Sequence, residues 1–302
     1  MRRWYFLIAA SLLLSLGATG CGPGSGAEGE AVPLKVTVSV VPQAYFVERI
    51  GGEHVSVNVM VEPGASPATY EPKPEQLAAL SHSVAYFSIG VPFEDVWLDR
   101  IAEANPDMRI VDTAAGIERR SLDAHSHEEE EDGHEEHPQG VPDPHIWLSP
   151  ELVKTQARNI HAALVELDPA HEAEYTANLE AFLADIEALQ SEIRATLSDV
   201  ENRTFMVFHP SWGYFADEFG LTQIPIEVGG QEPSAQELAA LIEKAKEEEV
   251  KVIFAQPEFS TKAAETIAQE IGGEVLLITP LARDWLTNLQ EVADAFARVL
   301  AE

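Results

Sequence analysis

The sequence has little cysteine, little basic charge and no long apolar run beyond its first segment. Cys21 is the only cysteine, so no disulfide can form within the chain. Lysine and arginine total 19 against 51 aspartates and glutamates, which gives a formal net charge of -32. This balance argues against nucleic acid and anionic lipid surfaces as partners and favours cations. The lack of a long apolar run after residue 20 argues against a membrane span there.

The first residues have the composition of an export signal. Arg2 and Arg3 are followed by a mostly apolar stretch that is too short to span a membrane, and small residues precede Cys21. Bacterial lipoprotein signals have this arrangement, and the alternative is an ordinary secretory signal with an incidental cysteine. We predict a signal peptide over residues 1–20, lipidation of Cys21 and a flexible Gly-rich tether over residues 21–33.

The rest of the chain alternates short β-rich runs with helical patterns. This alternation predicts parallel sheets with helices on both faces, and hence an α/β fold. An apolar residue every three or four positions predicts one long helix over residues 169–200. We therefore predict two parallel-sheet lobes, residues 34–168 and 201–302, which this rigid helix joins and which enclose a cleft.

One segment is rich in histidine and acid. Residues 123–137 contain four histidines and eight carboxylates, with no lysine or arginine. Such a segment cannot bury a core, so we predict a disordered loop over residues 121–141, the acidic His loop. Neutral imidazoles suit zinc, and clustered carboxylates raise the local cation concentration. The loop is therefore predicted to gather metal as an accessory segment, through His125, His127, His134 and His137.

Two further histidines stand where open parallel sheets bind ligands, beyond the carboxyl ends of strands. His209 directly follows a predicted strand, and His145 lies in a Pro-flanked turn before a helix that starts near Pro150. They come from the two halves of the chain, so they can meet in the cleft, where two imidazoles suit zinc. The alternative at each position is a hydrogen-bonded core histidine.

Six motifs follow one another along the chain. They are PGASPATYEP at 63–72, DPHIWLSP at 143–150, FHPSWGYF at 208–215, EPS at 232–234, IFAQPEFS at 253–260 and PL at 280–281. Together they resemble the metal-binding receptor lipoproteins of bacterial zinc and manganese ABC importers, the cluster A-I binding proteins. An acidic His-rich loop before Asp-Pro-His is typical of the zinc members. The resemblance implies two lobes, a long linking helix and a metal in the cleft.

The resemblance carries ligand roles directly only to His145 and His209. Ala68 stands where the family has a histidine in Pro-Gly-Ala-Asp-Pro-His, and Thr279 stands where many members have an aspartate before Pro-Leu. Gln256 stands where members have glutamate in Phe-Ala-Glu-Pro. Two histidines fall short of the three or four protein ligands that are usual for zinc.

Three side chains are candidates for the missing ligands. Gln256 and Glu227 lie near strand ends of the second lobe, and Glu71 lies in the loop that has lost its histidine. The alternatives are a hydrogen-bonding role beside the site for Gln256 and a solvated surface position for each glutamate. A water molecule or a histidine of the acidic His loop could also complete the site. Because manganese prefers carboxylate oxygens, the loss of the aspartate favours zinc.

The residues and the resemblance together predict an exported, lipid-anchored, monomeric receptor that faces the periplasm or the cell exterior. It would capture Zn²⁺, or less readily Mn²⁺, as a transported ligand and deliver it to the permease and ATPase subunits of an ABC importer. One alternative is an exported zinc hydrolase, although the chain has no His-Glu-x-x-His motif. Another is a metal-buffering protein or adhesin without a transporter. We expect no enzymatic activity and no nucleic-acid partner.

Overall fold

Two four-stranded sheets form the centre of the fold in a computed structural model, which describes residues 32–122, 141–228 and 230–300. The predicted signal peptide, Cys21 and the four histidines of the acidic His loop lie outside the described residues. Within the described ranges, no helix combines the length and the apolar character that a membrane crossing requires.

The first sheet belongs to the N-terminal lobe. Its strands are β1 (Leu34–Val38), β2 (Val55–Val59), β3 (Ala85–Ser88) and β4 (Arg109–Asp112), which pair in parallel in the order β2-β1-β3-β4. The central strand β1 places Val36 between Val57 and Ala85. The connecting helices are α1 (Val41–Gly51), α2 (Pro74–Leu80) and α3 (Pro92–Ala104).

The second sheet repeats this arrangement in the C-terminal lobe. Its strands are β5 (Thr204–Val207), β6 (Thr222–Pro225), β7 (Val252–Ala255) and β8 (Glu274–Leu277), which pair in parallel in the order β6-β5-β7-β8. The helices between them are α6 (Gly213–Phe219), α7 (Ala235–Glu247) and α8 (Lys262–Ile271). The predicted α/β fold with two parallel-sheet lobes is confirmed.

Three longer helices lie between and beside the sheets: α4 (Pro150–Leu167), α5 (Glu172–Thr196) and α9 (Trp285–Leu300). Helix α5 has 25 residues and is therefore about 37 Å long. The long joining helix is confirmed, but its α-helical part ends at Thr196 instead of near Val200. Leu197 and Val200 remain buried beyond the helix end, which is why the apolar stripe in the sequence overshoots it.

A hydrophobic core runs through both lobes, and a second, smaller cluster lies within the C-terminal lobe. Phe46 of α1, Phe182 of α5 and Trp285 of α9 are buried together, with ring centroids 5.2 to 6.4 Å apart. Helix α9 also carries Phe296, whose ring packs 4.5 Å from Phe205 of the second sheet. Because α5 and α9 contribute to this shared core, the orientation of the two lobes is fixed by close packing.

Replacement of Phe182 by alanine is expected to remove a buried aromatic ring from the contact between α1, α5 and α9. The free energy of unfolding should fall by about 3–5 kcal/mol, as measured by urea denaturation. Glu180→Ala, at an exposed position of the same helix, is the control and should change it by less than about 0.5 kcal/mol. Equal effects of the two substitutions would contradict this account of the core.

Candidate metal site

A cavity of about 590 Å³ lies where loops of the two lobes face each other. The N-terminal lobe contributes residues 66–69 and 90–92, and the C-terminal lobe contributes loops that follow the carboxyl ends of β5, β6 and β7. His145 and His209 both line this cavity. The structure therefore brings together the two histidines that the sequence singles out.

The two imidazoles face each other through their Nε2 atoms, which are 3.3 Å apart. Their ring centroids are 5.2 Å apart and the rings are inclined at 72°. His145 is buried, at 8% relative exposure, and His209 is half-buried.

His145 is held by the aspartate two residues before it. Asp143 Oδ1 accepts a hydrogen bond from the His145 backbone N–H (3.0 Å), and it also contacts the ring Nδ1 at 2.7 Å. The Tyr214 hydroxyl donates to the Asp143 carbonyl at 3.0 Å, and Trp147 Nε1 donates to the Pro280 carbonyl at 2.7 Å. These bonds dock the segment that carries His145 onto the C-terminal lobe.

His209 is held by the ends of three neighbouring strands. Its Nδ1 contacts Oε2 of Glu227, which follows β6. Gln256, which follows β7, accepts a hydrogen bond from the His209 backbone N–H (3.1 Å) and donates to the His209 carbonyl (2.6 Å). The Phe259 ring stacks on the imidazole, with centroids 4.6 Å apart.

The two carboxylates determine what the inner nitrogens can do. When Asp143 and Glu227 each accept a proton-bearing Nδ1, both Nε2 atoms are left with lone pairs. Two lone pairs 3.3 Å apart repel each other, and a cation between them satisfies both. The arrangement is that of a pair of oriented metal ligands.

Burial also keeps His145 neutral. Desolvation lowers the pKa of His145 below its ordinary value of 6.5, although Asp143 acts in the opposite direction. Neutral imidazole is the metal-binding form. Burial therefore favours the form of His145 that binds a cation.

The three candidate ligands chosen from the sequence lie in different places. Gln256 is fully buried and its amide is engaged by the backbone of His209 and by the Ser211 hydroxyl, so it positions His209. Glu227 lines the cavity, and its Oε2 contacts the outer nitrogen, Nδ1, of His209. Glu71 is exposed and is not among the described residues that line the cavity.

Of the two positions that lack the expected ligands, Ala68 lines the cavity and Thr279 adjoins it in the sequence. Ala68 lines the cavity wall in the N-terminal lobe. Thr279 precedes Pro280 and Leu281, which line the opposite wall. Within the described ranges, the two histidines are not joined by a third His, Cys, Asp or Glu in a ready-made metal-binding group.

The sequence patterns assign no role to two acidic residues of the site, Asp143 and Glu258. Asp143 has a signal in the Asp-Pro-His spacing, which lets the carboxylate reach a ring two residues later. Glu258 lines the cavity, and burial raises its pKa above the ordinary value. The sequence pattern that could have indicated Glu258 is its position as the second polar residue after β7, a strand whose four residues are all buried.

Comparison with known proteins identifies the family to which the chain belongs. The family model described as "Zinc-uptake complex component A periplasmic", ZnuA, matches residues 36–299. The chain belongs to the ZnuA family. It is 30% identical to the high-affinity zinc uptake system protein ZnuA of Bacillus subtilis, over 93% of this chain and 89% of that protein.

Two other similar proteins are described as binding a metal. A crystal structure of a ZnuA deletion mutant with zinc bound is 48% identical, with a TM-score of 0.81 over 90% of this chain and 99% of that one. The manganese-binding lipoprotein MntA of Halalkalibacterium halodurans is 27% identical, over 87% of this chain and 85% of that protein. Membership of the ZnuA family thus confirms the predicted resemblance to the zinc and manganese receptors.

The lowered pKa of His145 predicts that the metal-free protein is less stable in acid. The unfolded chain takes up this proton near pH 6.5, whereas the folded chain takes it up only at lower pH. The free energy of unfolding should fall as the pH drops below about 6.5, by at most about 1.4 kcal/mol per pH unit from this residue.

Urea denaturation above and below that pH measures the effect. His145→Gln should show a smaller loss in acid than the unsubstituted protein, and His82→Gln, at an exposed position, should show the full loss. Identical pH dependence in all three proteins would contradict the assignment to His145.

Proposed function

We propose that this protein is the extracytoplasmic receptor of an ABC importer, which captures Zn²⁺ in the cleft between its lobes. Membership of the ZnuA family supports the transport role. His145 and His209 supply the metal-binding atoms, and Asp143 and Glu227 orient them. The permease and ATPase subunits would receive the metal.

The observation that carries this proposal is the separation of the two Nε2 atoms. Zinc binds histidine nitrogen at about 2.0–2.1 Å in tetrahedral geometry, so two such nitrogens lie about 3.3–3.4 Å apart. His145 Nε2 and His209 Nε2 are 3.3 Å apart in the protein. The pair therefore has the spacing of two zinc ligands before any metal is added.

The surroundings of the pair favour zinc over manganese. Imidazole nitrogen suits zinc, whereas manganese is better served by oxygen ligands. The nearest carboxylates, Asp143 and Glu227, contact ring nitrogens. Mn²⁺, as in the related MntA lipoprotein, is accordingly the less favoured ligand.

The contacts between the lobes limit how the metal is released. Trp147 donates to the Pro280 carbonyl, and Trp285 donates to the Trp147 carbonyl at 2.6 Å. A wide hinge opening would break these buried bonds. We infer that release needs only small rearrangements around His145 and His209.

The family and the sequence also indicate where the receptor is located. The family is described as periplasmic, and Cys21 is the position at which a lipid would anchor the exported chain. We propose a monomeric binding protein without enzymatic activity. A zinc hydrolase would keep an open metal position with a general base beside it, whereas the two carboxylates that touch the histidines are bound to ring nitrogens.

Calorimetric titration of the metal-free protein with Zn²⁺ and Mn²⁺ tests the proposal. The unsubstituted protein should show one tight zinc site, and His145→Ala or His209→Ala should weaken it by about 100-fold or more, because each removes a ligand. Deletion of residues 123–137 should remove weaker sites and leave the tight one. His82→Ala controls for the loss of an exposed imidazole.

The double variant His145→Ala/His209→Ala decides the matter. If it still binds one zinc ion with unchanged affinity, the cleft is not the site. If zinc-dependent hydrolysis of an ester, peptide or phosphate substrate appears and is abolished by His209→Ala, the protein is a hydrolase instead.

The carboxylate behind His209 gives an independent prediction. Glu227→Ala is expected to weaken zinc binding by about 10- to 100-fold, because loss of the acceptor at Nδ1 frees the ring to turn and lowers its basicity. Glu227→Gln keeps an acceptor and should fall between Glu227→Ala and the unsubstituted protein. Competition with a chromophoric chelator measures these affinities. Equal affinity in all three proteins would show that Glu227 does not orient His209.

A further inference from the structure

We propose that Glu258 is a further protein ligand to the metal, which binds in place of the carboxylate that Thr279 lacks. This inference rests on the proposed function. It concerns a residue that the family motifs do not mark as a ligand and that lines the cavity.

The position of Glu258 follows from the order of the strands. Strands β7 and β8 are parallel neighbours, with Ala255 paired with Leu277. Glu258 lies three residues beyond Ala255, and Thr279 lies two residues beyond Leu277, so both emerge at the same edge of the sheet. A carboxylate on the loop after β7 can therefore occupy the region that a residue after β8 would otherwise serve.

The contacts of Glu258 confirm that it shares this region. Oε1 accepts a hydrogen bond from the Thr279 hydroxyl at 3.3 Å. Glu258 lines the same cavity as His145 and His209. The next residue, Phe259, stacks on the His209 ring. The carboxylate thus lines the same cavity as the imidazole pair and contacts Thr279.

The second oxygen of this carboxylate is left unsatisfied. Oε2 of Glu258 is buried and has no hydrogen-bond partner among the described residues. Glu258 belongs to none of the ion pairs among the described residues; His209, for example, pairs with Glu227 and Arg283 with Glu48. A buried carboxylate oxygen without a partner costs free energy, and an ion at the site is one of the few features that explain such a group.

A cation in the cavity would satisfy this oxygen and complete the site. Two histidines provide only two of the three or four protein ligands that zinc normally takes. Glu258 is not grouped with the two imidazoles in the metal-free arrangement, so ligation requires its side chain to turn from Thr279 towards them. The resulting set of two nitrogens and a carboxylate oxygen also offsets part of the metal's charge.

Zinc titration of four proteins tests the proposal. Glu258→Gln should weaken the tight site by about 100-fold, since even residues that only orient ligands contribute about 10- to 100-fold. Glu232→Gln removes the same charge from an exposed residue lining the same cavity and should change the affinity by less than threefold. The double variant Glu258→Gln/Thr279→Asp should regain at least half of the lost affinity on a logarithmic scale.

Two further measurements separate ligation from a structural effect. Thermal unfolding of metal-free Glu258→Gln should show a midpoint no lower than that of the unsubstituted protein, because the substitution removes a charge whose buried oxygen has no partner. A crystal structure of the zinc-loaded protein should place a Glu258 oxygen about 2.0–2.2 Å from the metal.

The outcomes distinguish this inference from the proposed function. If zinc binding requires His145 and His209 but Glu258→Gln behaves like Glu232→Gln, the receptor role stands and Glu258 is not a ligand. If the unsubstituted protein has no tight zinc site, the proposed function itself fails. A zinc-loaded structure in which Glu258 still faces Thr279 would also overturn the inference.

Discussion

The candidate site depends on two hydrogen bonds between carboxylates and imidazoles. Asp143 and Glu227 each engage the outer nitrogen of one histidine, so the inner nitrogens present lone pairs to each other at 3.3 Å. Without these carboxylates, either neutral ring could rotate or carry its proton on the inner nitrogen, and the two rings would then form a hydrogen bond with each other. The carboxylates behind the rings therefore determine which atoms the two histidines offer to the cavity.

The core of the protein sets the distance between the histidines. Trp285 packs against Phe46 in the shared core, and its indole N–H donates to the carbonyl of Trp147. Trp147 in turn donates to Pro280 on the wall of the cavity. His145 lies two residues before Trp147, so the hydrogen bonds that dock its segment continue directly from the core. A disturbance of α9 would consequently reach the candidate site through these bonds.

The sequence predicts the elements and the histidine pair but not the directions of the polar side chains around it. The apolar stripe predicts α5, and the position after a strand predicts His209, because both signals are local. Whether the Glu227 carboxylate reaches the outer ring nitrogen of His209 depends on how β6 lies beside β5, which no local pattern records. The same is true of Gln256, whose amide is directed at the backbone of a neighbouring strand end.

The run after β7 shows how the chain can tolerate its departures from the family motifs. Gln256 stands where members have glutamate, and its amide both accepts from the His209 N–H and donates to the His209 carbonyl. An ionised carboxylate has no proton with which to donate the second bond. The neutral amide therefore fastens the His209 loop from two sides, while the negative charge of this segment stands two residues later, at Glu258. Compared with the family motif, the carboxylate thus lies in the cavity and not against the buried backbone of His209. Ala68 and Thr279 supply no ligand to this cavity, so a cation there would gain most from a nearby carboxylate.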